Sequence, residues 1–137
     1  MHLHKKLGIW LPVGGHIDRD ELPQDAALRE IREESGLDVE LFNPEKQIDM
    51  GSAKQLLRPM RLLLEDINEF HQHIDFIYFV FTDSSELSPH DGEATTLKWF
   101  TANEIKTLKN TPGNVKELSA EAISLFDIAR SGRYVKN

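Results

Sequence analysis

The segment Gly15–Leu37, GHIDRDELPQDAALREIREESGL, constrains this chain more than any other. Pro23 suits a first helical turn, and Ala27, Leu28 and Ile31 make an apolar face. Gly36 sits where a C-terminal cap belongs, so the pattern predicts a helix over 23–35. Glu30, Glu33 and Glu34 stand at i, i+3 and i+4, which places three carboxylates on one helical face. Unpaired, they repel one another. Arg29 reaches Glu33 at i+4, but one arginine cannot neutralise three acids. A hard divalent cation can, because Mg²⁺ takes carboxylate and carbonyl oxygens and keeps part of its water. The Gly14-Gly15 corner lets backbone approach such a site closely. The plainer alternative is a solvated acidic helix face.

At roughly 150 residues per domain, the 137 residues form one domain, 1–137. With 39% hydrophobic and 28% charged residues the chain is globular, large enough to bury a core without staples. Lys and Arg total 16 against 23 Asp and Glu, a net charge of −7. That balance opposes a surface built to grip nucleic acid. The lack of cysteine excludes a disulfide framework, a thiolate zinc site and a cysteine nucleophile together. The longest apolar run, Phe76 to Phe81, is far short of the roughly 20 residues that span a bilayer. MHLHKKLGIW lacks the apolar stretch of a secretory signal. The expectation is a cytoplasmic protein without membrane or nucleic-acid partner.

Elsewhere, Val39–Phe42, Gln55–Leu64 and His73–Thr82 read as strands. The acidic run Glu65–Glu69 reads as a solvated hairpin loop between the last two. Thr95–Phe100 is a further strand candidate, and Thr101-Ala102-Asn103-Glu104 matches a capping box opening a short helix. Leu118, Ala122, Leu125, Phe126 and Ala129 recur at helical spacing, with Gly132 placed to end that helix. Strands and helices mixed in this order predict an α/β (α+β) class, with helices on both sides of a mixed central sheet.

The spacing of the acidic segment is Gly15, five residues, Glu21, seven residues, Arg29-Glu30-Ile31, one residue, Glu33-Glu34, one residue, Gly36-Leu37. At every specified position this matches the Nudix box, G-x5-E-x7-R-E-U-x-E-E-x-G-U with U aliphatic. A chance match is on the order of one in ten million. Trp10-Leu11-Pro12-Val13-Gly14-Gly15-His16 is similar to the W-L-P-P-G-G-H approach to that box, with Val13 in place of the second proline. Glu93, Leu97-Lys98-Trp99-Phe100 and Glu104-Ile105 are similar to the tail many members carry. The chain thus resembles the Nudix hydrolases over about residues 2–105.

The resemblance implies a Nudix-type α/β/α sandwich acting as a magnesium-dependent pyrophosphohydrolase, with manganese a possible substitute. Its substrate would be a small nucleotide: a nucleoside diphosphate linked to another moiety, such as a nucleoside triphosphate, an NDP-sugar or ADP-ribose. The chemistry agrees. A pyrophosphate repels a water nucleophile, bound divalent ions clamp its oxygens, and a carboxylate accepts the proton of the water. An acidic protein binds an acidic substrate this way because the metal inverts the local sign. Carried over, Glu33 and Glu34 are metal ligands, Glu30 is a ligand or the general base, and the Gly15 carbonyl is a further ligand. Arg29 orients the glutamates, and Glu21 acts behind them or through water. Glu93, with Asp91 behind it, is the candidate for a base outside the box.

His71 and His73 alternate onto one strand face and, with Trp10, are candidates for substrate contact. A polar sheet face and core packing are the plain alternatives. Asp18-Arg19-Asp20 resembles the start of a calcium loop, but Leu22 and Pro23 stand where that loop needs a ligand and a glycine. Isoprenoid diphosphate isomerases of similar fold need a cysteine that this chain lacks. RNA decapping is disfavoured by the absence of a basic stripe with interleaved aromatics. The competing function is a Nudix-fold module that binds or senses a nucleotide or ADP-ribose without cutting it. The intact set Arg29, Glu30, Glu33 and Glu34 favours the enzyme. Family members carry at least one full strand ahead of the box, whereas His2–Lys6 reads as the end of such a strand. The expectation is a truncated N-terminal strand, with the true start upstream or a homodimer partner covering the missing edge.

Overall fold

The computed structural model describes residues 1–91 and 96–130. Strand β1 (His2–Leu3) pairs antiparallel with β2 (Trp10–Leu11), and the loop carrying Gly14 and Gly15 leads into α1 (Pro23–Ser35). Then follow β3 (Glu40–Leu41), β4 (Arg61–Asn68), β5 (His71–Ile77), β6 (Val80–Phe81), α2 (Ala102–Thr107) and α3 (Gly113–Arg130). The ladders among the described residues are three antiparallel pairs, β1–β2, β3–β6 and β4–β5, which with the helices make an α+β fold. No helix among the described residues is long and apolar enough to cross a membrane.

Helix α1 follows its sequence signals at both ends. Pro23 occupies the first turn after an extended Leu22, and Gly36 closes the helix at φ 71° with its N–H donating to the Arg32 carbonyl at 2.9 Å. A side chain at Gly36 would fall on the Ser88 carbonyl. Ser88 N–H donates to Ser35 O at 2.8 Å and His90 N–H to Glu33 O at 2.9 Å. The segment around 88–90 is thereby laid along the helix end, and it satisfies carbonyls that a helix terminus leaves open.

The core is small: Ala26 and Ile31 from α1, then Leu37, Phe42, Phe79, Ile105 and Val115. Phe81 meets Phe42 edge-on at 5.8 Å and Phe126 at 5.7 Å, which joins the β3–β6 pair to α3. Strand β2 is tied to the α2–α3 connection by Trp10 N–H to Asn110 O at 2.7 Å and by the Thr111 hydroxyl to Trp10 O at 2.6 Å.

Three expectations change. Glu65 and Asp66 are not in a loop, because β4 starts at Arg61 and runs on to Asn68, and of the acidic run only Glu69 lies in the turn. Glu65 lies opposite His73 and Asp66 opposite Gln72, whose amide donates to Asp66 at 2.7 Å. Cross-strand partners on an exposed hairpin thus accept charges that propensity would place in a turn. The turn itself is Glu69-Phe70, braced by Phe70 N–H donating to Asn68 Oδ1 at 2.9 Å. The run 73–82 divides into β5 and β6 at Tyr78-Phe79.

Third, the described part of Thr95–Phe100 forms one bridge, Leu97 to His2, rather than a strand. Leu3 N–H donates to Thr96 O at 2.9 Å and Lys98 N–H to Met1 O at 3.0 Å. Strand β1 therefore has β2 on one side and residues 96–98 on the other. Gly132, placed to end the last helix, lies outside the described residues.

Candidate active site

Arg29 is the hub of the acidic segment. Its Nε donates to Glu21 Oε1 and its Nη2 to Glu21 Oε2, both at 2.9 Å, a two-pronged grip on one carboxylate. Its Nη1 donates to Glu30 Oε1 at 2.8 Å and Glu33 Oε2 at 3.2 Å, and Nη2 reaches the His16 carbonyl at 3.0 Å. Asp18 Oδ2 lies 3.9 Å away. The Arg29 hydrogen bond, backed by the Asp18 N–H, holds the Glu21 carboxyl below its ordinary pKa. Glu21 and then Glu30 push the guanidinium higher still above its already high value. Arg29 thus ties the loop after Gly15 to the helix face.

Glu34 points the other way. Its Oε2 accepts from Gly14 N–H at 2.9 Å and lies 3.4 Å from the buried His2 Nδ1. Gly15 packs against the Glu30 carboxylate, where a Cβ would overlap the oxygens. Each helix carboxylate makes its contact through one oxygen: Glu30 Oε1, Glu33 Oε2, Glu34 Oε2. Glu34 and Glu30 are largely shielded, and Glu33 is the most open, with 40% of its side chain exposed.

This donor set suits a hard divalent ion. All its side-chain oxygens are carboxylate, the Gly15 backbone packs against Glu30, and Glu21, Glu30 and Glu33 share one guanidinium. Shielded carboxylates in such excess carry a desolvation cost that a bound cation offsets. Among the described residues, no three Asp, Glu or His side chains converge on one point. Glu30 and Glu33 turn to Arg29, while Glu34 turns to Gly14.

The other candidates fall in three places. His71 and His73 face each other across 2.8 Å between their Nε2 atoms on β5, and the His73 ring stands edge-on to His16 at 5.6 Å. The hairpin histidines are thus brought beside the residue that follows Gly15. Trp10 is half-buried and packs edge-on against Phe100 at 4.9 Å. Asp91 is exposed, one residue from the His90 amide bound to Glu33 O. Glu93 lies outside the described residues. His2 and His4 share the spacing of His71 and His73, and His16 ends the Trp10–His16 approach, but the sequence reading neither set His2 beside Glu34 nor gave His16 a role. His2 carries no local signal, because its neighbour Glu34 is distant in the chain. His16 had one, its place directly after Gly14-Gly15.

The family model described as NUDIX domain matches residues 2–121. A crystal structure described as a hydrolase, NUDIX family, from Clostridium perfringens is 41% identical, with a TM-score of 0.83 over 91% of this chain and 87% of that one. Two proteins named m7GpppN-mRNA hydrolase NUDT17 are similar. The Danio rerio protein is 27% identical over 80% of this chain and 37% of its own length. The Homo sapiens protein is 23% identical over 91% of this chain and 40% of its own length. The chain therefore spans about two fifths of these curated relatives.

Proposed function

The chain belongs to the Nudix hydrolase family, enzymes that act on pyrophosphate bonds, and on that premise we propose that it is a single Nudix domain that hydrolyses small nucleoside diphosphate derivatives. The observation that carries the reading is the Arg29 hub, which holds Glu21, Glu30 and Glu33 at the mouth of the Gly14-Gly15 loop. A pure binding module has no use for that full set.

Glu30, Glu33, Glu34 and the Gly15 carbonyl would hold the divalent cation, magnesium with manganese a substitute. Such a cation would offset the charge of the pyrophosphate and make the attacking water more acidic. Glu30 or Glu93 would accept the proton of the water. Arg29 keeps Glu30 and Glu33 in place. His71 and His73, beside His16, supply hydrogen bonds to phosphate or base, and Trp10 is a separate candidate for stacking on the base.

The names of the curated relatives favour one particular substrate within this class. A cap structure, m7GpppN, is a nucleoside polyphosphate linked to a second nucleoside, so a free cap dinucleotide fits the same chemistry. A long RNA body does not fit as well, because the net charge of −7 offers no cationic track.

A panel of nucleoside triphosphates, NDP-sugars, ADP-ribose, NADH, dinucleoside polyphosphates and cap dinucleotide, with and without Mg²⁺, tests the reading. Turnover that needs the metal and collapses in folded Glu33→Gln and Glu34→Gln proteins is the expected result. Parental rates in those variants would overturn it. Tight binding without turnover of any compound would replace it with the sensor reading.

A further inference from the structure

We infer that the outer face of the β4–β5 hairpin is a docking surface for a second copy of this chain, independently of the reaction. The register places Leu62 opposite Phe76 and Leu64 opposite Ile74. By the alternation of a strand these four share one face, while Leu63, Glu65, His73 and Asp75 take the other. The second face is half-buried and is held to the body: Asn114 of α3 donates to Glu65 at 2.5 Å, and His73 packs against His16. The first face is open, with Leu62 at 61%, Leu64 at 65% and Ile74 at 67% exposed. At the tip, Ile67 is half-exposed and Phe70 is 94% exposed.

Area decides what covers this face. At roughly 150–250 Å² for a fully exposed large side chain, the quartet presents on the order of 400 Å², and Ile67 and Phe70 at the adjoining tip bring the total to the order of 700 Å². Monomers rarely leave a contiguous apolar patch above a few hundred Å². A standard interface buries roughly 800 Å² per partner, so the patch matches one side of a stable dimer.

Charge permits the second copy to be an identical one. In a protein of net charge −7, a self-interface must avoid opposing acids. The quartet carries no charge, and the nearest acid on its face is Asp66, tied to Gln72 at the tip end. A twofold axis through the quartet sets the two hairpins antiparallel. At about 3.4 Å per residue the two Asp66 carboxylates then stand some 20 Å apart, about two Debye lengths at physiological salt. Each hairpin tip lies over the base of its partner, which gives Phe70 a surface to cover.

Sedimentation velocity of the full chain over about 1–200 µM tests this. The expected result is a particle of about twice 15.7 kDa that Ile74→Lys converts to monomer with an unchanged circular dichroism spectrum. A monomer at every concentration overturns the inference, and so does a dimer that a folded Ile74→Lys leaves intact. Should Ile74→Lys fail to fold, Phe70→Ser changes only the most exposed side chain of the patch. It must then weaken the dimer at least tenfold, and an unchanged dissociation constant overturns the inference equally.

Discussion

Gly15 and the Glu30 carboxylate are in such close contact that one added methyl group would take the place of the carboxylate oxygens. The group that must yield is the end of a flexible side chain, whereas the Gly15 backbone is unstrained in any residue type. Gly15→Ala should therefore leave stability within about 1 kcal/mol of the parent. On the proposed function it should cut turnover about 10²-fold, because it displaces a carboxylate proposed to act at the reacting centre. Urea unfolding and metal-saturated rate measurements on one preparation check both halves. A large loss of stability, or an unchanged rate, would show that Glu30 is not used where it stands.

The two-pronged grip of Arg29 on Glu21 gives a second expectation. Arg29→Lys keeps the positive charge but loses the planar fork that reaches Glu21, Glu30, Glu33 and the His16 carbonyl together. Metal affinity or activity should drop roughly 10–100-fold, the usual effect of removing a group that orients ligands. A magnesium titration separates the two: if orientation is the role, excess metal recovers part of the rate. Equal activity at all metal concentrations would leave Arg29 without an orienting role.

How much of this was legible in the sequence follows from how local each signal is. Helix α1 was readable residue for residue because Pro23 and Gly36 act on their own backbone. The Thr101–Glu104 capping box was readable for the same reason. Strand ends were not: β4 extends through Glu65 and Asp66 because His73 and Gln72 lie opposite, and register is non-local. The acids of the box were legible as a set, yet their present partners were not. Glu34 turns to Gly14 N–H and His2, and no pattern in the chain places His2 there. The covering of β1 by residues 96–98 was equally hidden, since it joins segments far apart in the chain.

Gly36 is the contrasting glycine. Its φ of 71° is left-handed, and a Cβ there meets the backbone of Ser88 rather than a flexible side-chain end. Gly36→Ala should destabilise the protein by about 2 kcal/mol or more, from the left-handed conformation and the displaced 88–90 segment together. The midpoint of urea unfolding measures this. Because the Ser88 and His90 N–H groups donate to the Ser35 and Glu33 carbonyls, amide exchange of Ser88 and His90 should speed up beyond what global destabilisation accounts for. Uniform acceleration across the chain would mean the loop is not anchored there.

The capping box supplies the pH prediction. Glu104 accepts from Thr101 N–H at 2.8 Å and from the Lys98 ammonium at 2.9 Å, and these bonds pull its pKa to about 2. A carboxyl whose folded pKa lies below its unfolded value stabilises the fold above the unfolded pKa, here 4.5. That contribution is lost as pH falls through the folded value. The stability difference between parent and Glu104→Gln should be constant from neutral pH to about pH 5. It should shrink below pH 4.5 and vanish near pH 2. Glutamine retains the carbonyl that accepts from Thr101 but not the charge facing Lys98, so the difference isolates the ionised form. Comparing urea midpoints of the two proteins across that range cancels the other acids, which titrate alike in both. A difference that persists unchanged at pH 2 would mean that the carboxylate charge plays no part in holding α2.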